Sequence, residues 1–264
     1  MGLRGLHILL AEDNATNQMV AMQMLESLGA TISLAADGVE AMELAKRERF
    51  DLALIDIEMP RLSGTEVIRR LRAGPPPHCD MPLIALTAFV IGDLRGQIDD
   101  AGADGVIAKP LLSIEGLGDD ILRLTEARRR SGAHVTRFAA AEPVAPVPPE
   151  QEEAIDLHAF EALERAIGPE ALPELLRKMA LDIAAVRGRI EAGLAGQDPM
   201  VLRSATHVLV AVAGSIGATK LQYGAQCLNS AAHSGHSPDI DTLGRSVIAE
   251  IDVVTRFLSS KLRR

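Results

Sequence analysis

Short apolar runs alternate with amphipathic stretches through the first 130 residues of the chain. The runs are HILLA, TISLAA, DLALID, PLIALTA and DGVIA, and a segment with helical periodicity follows each of them. This strict alternation predicts an α/β fold, a doubly wound five-stranded parallel sheet with helices on both faces. In such sheets the functional crevice lies beyond the carboxyl ends of the strands. The polar residues at those ends are therefore the first candidates for a site.

Five such residues follow or end the predicted strands. Glu12 and Asp13 come after the first run, Asp56 ends the third, Thr87 ends the fourth and Lys109 follows the fifth. Strand ends converge in this fold, so we expect these side chains to share a pocket. Several close carboxylates repel one another and need a cation, and oxygen ligands favour Mg²⁺. An aspartate nucleophile beside a metal, a lysine and a threonine suits phosphoryl transfer.

These residues, in this order, resemble the receiver domain of response regulators, and EDNATNQ resembles the receivers of hybrid histidine kinases. The resemblance covers residues 1–130 and implies the flavodoxin-like strand order 2-1-3-4-5. It implies that Asp56, in DIEMP, accepts a phosphoryl group from a sensor histidine kinase, with Thr87 and Lys109 binding that group. The Mg²⁺ ligands it implies are Glu12, Asp13, Asp56 and the backbone carbonyl of Glu58.

Val106 departs from the receiver pattern. Family members usually carry Tyr or Phe three residues before the lysine, and this chain has valine there. The aromatic side chain that links phosphorylation to the output face is therefore missing. Val106 is also an ordinary β-branched strand residue. We expect any conformational output to use another route.

Residues 131–154 interrupt the α/β pattern. Four prolines there forbid a helix and favour extended chain, which predicts a linker rich in Pro, Ala and Glu. Residues 155–264 show no strand pattern and predict an all-α helical bundle. Their amphipathic segments begin near Asp156, Pro169, Asp198, Ala218 and Pro238. Asp198 followed by Pro199 is a typical helix start, because the carboxylate caps and proline fits the first helical position.

His207 lies in the most apolar of these segments. A helical projection places a compact apolar stripe opposite it, made of Leu202, Ala205, Leu209, Val212 and Ile216. We therefore expect His207 on the outward face of its helix, as either a reactive imidazole or a solvated histidine without a role. Val210 and Ala211 lie on the same side as His207.

The second half, residues 155–264, resembles a histidine phosphotransfer domain. ATHVLVAVAGSIGATKL matches the family pattern around its histidine, keeping Ala205, Leu209 and the pair Gly217 and Ala218. The resemblance implies a four-helix bundle in which His207 accepts a phosphoryl group. Family members usually carry lysine at the position of Val210 and glycine at that of Ala211, so the bundle departs from the family beside its histidine.

The amino-acid composition argues against some classes of binding partner. The formal net charge is −9, aromatic residues make up 2%, and no segment has the basic excess typical of nucleic-acid binding. We expect no nucleic-acid partner and no membrane insertion, since no apolar run has spanning length and no signal-peptide pattern is present. Cys79 and Cys227 lie in different segments and indicate no disulfide or metal framework. A cytoplasmic location is expected.

Together these patterns predict a two-component phosphorelay protein that is a phosphoacceptor, not an enzyme with a separate substrate. Its receiver would catalyse its own Mg²⁺-dependent phosphorylation and dephosphorylation. A sensor histidine kinase would phosphorylate Asp56, and the phosphoryl group would pass through His207 to or from a second regulator. Two alternatives remain. One is a phosphorylation-controlled binding module with a degenerate phosphotransfer bundle, and the other is a phosphate sink for a kinase.

Overall fold

A five-stranded parallel sheet of order β2-β1-β3-β4-β5 forms the centre of the first part of the chain. The computed structural model describes residues 2–88, 92–109, 111, 113–131, 154–234 and 239–263. The chain divides into two compact units, Met1–Val144 and Ala145–Arg264. The strands are β1 (His7–Ala11), β2 (Thr31–Ala35), β3 (Leu52–Asp56), β4 (Leu83–Thr87) and β5 (Gly105–Ala108). The predicted strand order is confirmed.

Burial along the strands follows their position in the sheet. Every residue of β3 and β4 is buried, whereas β2, at one edge, is mostly half-buried. Central strands covered on both faces need near-continuous apolar sequence, which is what LALID and LIALT supply. The order reverses between β1 and β3, which lie side by side with Ala11 opposite Ile55. Ligands bind at this kind of switch point in open α/β sheets.

Helices flank the sheet, and their starts are fixed by short polar side chains. Asn14, Asp37 and Ser63 each accept backbone N–H groups at the start of the helix that follows. The helices are α1 (Ala15–Ser27), α2 (Gly38–Arg47), α3 (Gly64–Ala73), α4 (Gly92–Ala101) and α5 (Ile114–Ser131).

The described residues of the second unit are all helical apart from their connections. The helices are α6 (Leu157–Ile167), α7 (Leu172–Ala195), α8 (Pro199–Ser215), α9 (Thr219–Ser234) and α10 (Ile240–Leu262). From α7 onward each helix contacts the next, and α10 returns to α7, so four helices form a closed ring. Asp198 caps α8 through the N–H groups of Met200 and Val201, as the Asp-Pro pair predicted.

The predicted linker, residues 131–154, lies outside the described residues apart from its two ends. Across the described ranges no helix combines the length and apolarity that crossing a membrane requires.

Candidate functional site

A buried lysine joins two carboxylates at the carboxyl edge of the sheet. Lys109 Nζ lies 2.5 Å from Glu12 Oε2 and 2.7 Å from Asp56 Oδ2. The exposed fractions are 1% for Glu12, 0% for Asp56 and 6% for Lys109. Glu12 follows β1, Asp56 ends the adjacent β3 and Lys109 follows β5. The predicted convergence of strand ends therefore brings these three residues into direct contact.

Thr87 belongs to the same edge. It is buried at the end of β4, where it pairs with Ala108 of β5. The backbone N–H of Lys109 donates to the carbonyl of Thr87 at 2.8 Å. Strand pairing thus fixes the hydroxyl-bearing residue beside the lysine.

The charges in the pocket shift each other's titration. Burial raises the pKa of Glu12 above its ordinary value; Lys109 opposes this rise and the neighbouring Asp56 adds to it. For Lys109 burial acts to lower the pKa, but the charges of Asp56 and Glu12 outweigh burial and raise it. Lys109 is therefore a persistent cation aimed at both carboxylates.

Three carboxylates here match the requirements of a divalent cation. Glu12, Asp13 and Asp56 each offer an oxygen, and these atoms lie within 4.8 Å of one another. Three negative charges against the one ammonium leave an excess of two, which a single divalent ion offsets. Hard oxygen donors of this kind suit Mg²⁺. Asp13 is exposed while the other two are buried, so the cluster has an open side.

Glu58 lies next to the cluster through its backbone. Its N–H is 3.3 Å from Asp56 Oδ1. This contact places the predicted ligand residue beside Asp56, and the role of its carbonyl as a metal ligand stays a prediction.

Gly64 is a site residue that strand-end reasoning missed. It opens α3, and its N–H donates to the carbonyl of Ile57 at 3.0 Å. A Cβ at this position would lie 2.0 Å from the carbonyl oxygen of Asp56, a distance that no side chain tolerates. Glycine is therefore required where α3 starts against the end of β3.

Two amides of α1 were also missed. Asn17 Nδ2 donates to Glu12 Oε1 at 2.9 Å, and Gln18 Nε2 donates to the carbonyl of Glu12 at 2.6 Å. The available signal in the sequence was Asn14, a typical helix-capping residue, whose side chain accepts the backbone N–H of Asn17.

A model of the response regulator receiver domain matches residues 8–118. These residues form a response regulator receiver domain. Such domains belong to two-component signalling, and the strand order and polar cluster of this receiver domain agree with that assignment.

Curated relatives match well beyond the receiver domain. The aerobic respiration control sensor protein ArcB of Escherichia coli K12 is 30% identical over 230 residues, 87% of this chain and 28% of that protein. The signal transduction histidine-protein kinase BarA of Shigella flexneri is 27% identical over 260 residues, 97% of this chain and 27% of that protein. The chain therefore spans little more than a quarter of these relatives.

Solved receiver domains are also similar. One, from a sensor histidine kinase of Pseudomonas aeruginosa PAO1, was crystallised with magnesium coordinated in its active-site cleft. It is 38% identical and covers 46% of this chain and 98% of its own, with a TM-score of 0.43. Another, from a histidine kinase of Syntrophus aciditrophicus, is 27% identical, covers 51% of this chain and 100% of its own, and has a TM-score of 0.44.

Val106 is a strand residue near the site of the receiver domain. It lies half-buried in β5 opposite Ala85 and packs against the core of the receiver domain. It offers no aromatic ring next to Thr87, where receiver domains usually carry Tyr or Phe.

His207 lies in α8 of the second unit, and the predicted outward orientation is wrong. Its exposed fraction is 5%, and Val210 and Ala211 are buried as well. The predicted apolar stripe is buried too. A projection with one packed face and one solvated face does not describe α8, because this helix contacts α6, α7 and α9.

Polar contacts with α9 lie one residue from His207. Asn229 Nδ2 donates to Thr206 Oγ1 at 2.8 Å and to the carbonyl of Arg203 at 3.2 Å. Thr206 and Asn229 are both buried. The exposed residues of α8 lie in its first two turns, at Pro199, Met200 and Ser204.

Proposed function

We propose that this receiver domain accepts a phosphoryl group on Asp56 from the phosphohistidine of a sensor histidine kinase. The observation that carries the proposal is the contact of Lys109 Nζ with both Asp56 and Glu12 in a buried acidic pocket. A carboxylate oxygen of Asp56 forms the new bond to phosphorus, and the bond between phosphorus and the kinase imidazole breaks. The Lys109 ammonium and the Thr87 hydroxyl bind the transferred oxygens. Relatives named as sensor kinases support this choice of partner.

Glu12, Asp13, Asp56 and the carbonyl of Glu58 would hold Mg²⁺. When bound, the ion supplies positive charge that offsets the phosphoryl oxygens. In this reading the chain is a phosphoacceptor that promotes its own phosphorylation and dephosphorylation, not an enzyme with a separate substrate.

The candidate functions differ in what happens to the phosphoryl group after it reaches Asp56. A relay would pass it from Asp56 to His207 and on to an aspartate of another regulator. Such transfer needs an imidazole that a receiver can reach. His207 is buried with Val210 and Ala211 beside it, whereas the buried Asp56 lies next to the exposed Asp13 on the open side of its cluster. The burial of His207 favours the second candidate, a phosphorylation-controlled binding module whose bundle docks a kinase or regulator without carrying phosphate. A phosphate sink shares the first step and ends in hydrolysis at Asp56.

Acid and base treatment of the labelled protein distinguishes the relay from the other two candidates. The chain is incubated with a labelled phosphorylated kinase domain and Mg²⁺, then treated at low or high pH, since phosphohistidine is acid-labile and phosphoaspartate base-labile. A relay gives an acid-labile fraction that His207→Gln removes. A binding module gives base-labile label alone, which persists in His207→Gln. Label that Asp56→Asn does not remove overturns the assignment of Asp56.

A further inference from the structure

Both carboxylate oxygens of Glu12 are held by donors from different parts of the receiver domain. Lys109 Nζ contacts Oε2 at 2.5 Å, and Asn17 Nδ2 contacts Oε1 at 2.9 Å. The backbone N–H of Asn14 adds a longer contact to Oε1, at 3.4 Å. Lys109 Nζ also donates to Asp56, so the two carboxylates share its ammonium group. Asn17 therefore adds a side-chain contact to Glu12 beyond that of the shared lysine.

The start of α1 fixes Asn17 in place. Asn14 Oδ1 accepts the backbone N–H of Asn17 at 2.9 Å and so caps the helix. One residue further, Gln18 Nε2 donates to the carbonyl of Glu12 at 2.6 Å. The first turn of α1 thus holds both the backbone and the side chain of Glu12.

A glutamate needs this support more than an aspartate does. Its carboxylate lies one rotatable bond further from the backbone, so more rotamer freedom is lost when it is ordered. Partners that orient a metal-binding carboxylate in this way commonly govern metal affinity. Mg²⁺ requires near-ideal octahedral geometry, whereas Ca²⁺ accepts more ligands, bidentate carboxylates and looser geometry. A carboxylate whose Oε1 is tied to an amide is poorly placed to turn and chelate.

We propose that Asn17 is a positioning residue that holds Glu12 for a divalent cation and favours Mg²⁺ over Ca²⁺. The inference rests on the proposed function, which assigns a divalent cation to Glu12, Asp13 and Asp56. Asn17 does not ligate the ion. It keeps the carboxylate of Glu12 in the one orientation that Lys109 and Asn17 share.

The test is calorimetric titration of the full chain with MgCl₂ and, separately, with CaCl₂. Asn17→Ala should weaken Mg²⁺ binding about tenfold, the lower end of the range for such partners because Lys109 still holds Oε2. Ca²⁺ binding should change by less than about twofold, since its geometry is less demanding. The melting temperature in excess chelator should fall only slightly, because the better helix propensity of alanine offsets part of the lost hydrogen bond. Asn17→Gln, which keeps the amide, should recover part of the Mg²⁺ affinity.

Gln23→Ala is the matched control, since Gln23 lies on the same helix away from the cluster, and it should bind both ions like the wild type. Asp13→Asn is the reference for loss of a ligand. If the wild type binds Mg²⁺, Asp13→Asn weakens it and Asn17→Ala does not, the inference fails while the proposed function stands. Equal weakening of Mg²⁺ and Ca²⁺ by Asn17→Ala also overturns the inference. A wild type that binds no Mg²⁺ overturns the proposed function.

Discussion

Lys109 is the residue on which the stability of the pocket depends, because two buried carboxylates share its charge. Lys109→Met keeps the length of the side chain and removes the ammonium, leaving Glu12 and Asp56 without their common cation. Breaking a buried ion pair costs about 3–5 kcal/mol, and we expect the lower end because Asp13 marks an open side. Urea denaturation in chelator measures this loss. Adding Glu12→Gln should restore part of it, and a variant as stable as the wild type contradicts the expectation.

Asp56→Asn tests the phosphoacceptor with a near-isosteric change. The variant should take up no phosphate from acetyl phosphate in MgCl₂, while its circular dichroism spectrum stays that of the wild type. Mass spectrometry of the intact protein checks the label through a mass increase of one phosphoryl group. Excess chelator should prevent the increase in the wild type, because the carboxylate cluster then lacks its cation. Full labelling in chelator would show that the metal assignment is wrong.

The burial of helix α8 can be tested by substitutions at a buried and at an exposed position. If Val210 lay on an outward face with His207, as the helical projection predicts, Val210→Lys would cost little stability. The structure buries Val210 completely, so a lysine there must be buried without a partner or displace its neighbours. We expect a loss of about 2–4 kcal/mol in the free energy of unfolding. Met200→Lys, at an exposed position of the same helix, should change stability by less than about 0.5 kcal/mol. Equal effects would mean that position 210 is accessible in solution.

The central strands could be predicted from the sequence because burial on both faces dictates their apolar pattern. The burial of a helix that packs against several other helices could not. LALID and LIALT are fully apolar up to their last polar residue, which requires a central parallel strand ending at a site. The pocket of Glu12, Asp56, Thr87 and Lys109 followed from that rule. The burial of His207 did not, because periodicity gives the angle between residues and not the number of helices around them. Asn17 was missed because its contact runs back across the helix cap to Glu12, which follows the preceding strand.

The sequence similarity to curated relatives extends beyond the residues that match the receiver-domain model. The receiver match ends at residue 118, whereas the relatives match 87% and 97% of the chain and so extend into the helical unit. The sequence similarity to sensor kinases therefore includes part of the helical unit, whose task depends on whether His207 is reached by phosphate.

Independent folding of the two units is the prediction for the whole molecule. The main core cluster of the first unit lies between Leu9 and Ala103, and the ring of α7–α10 closes on itself, so each unit has an apolar core of its own. Fragments cut near residue 145 should both fold. The 150–264 fragment should show a helical circular dichroism spectrum and a cooperative melt, and the other fragment should bind Mg²⁺ as the full chain does. If the helical fragment is unfolded, its stability depends on the receiver domain. The burial of His207 would then belong to the full chain, and phosphotransfer would have to be studied there.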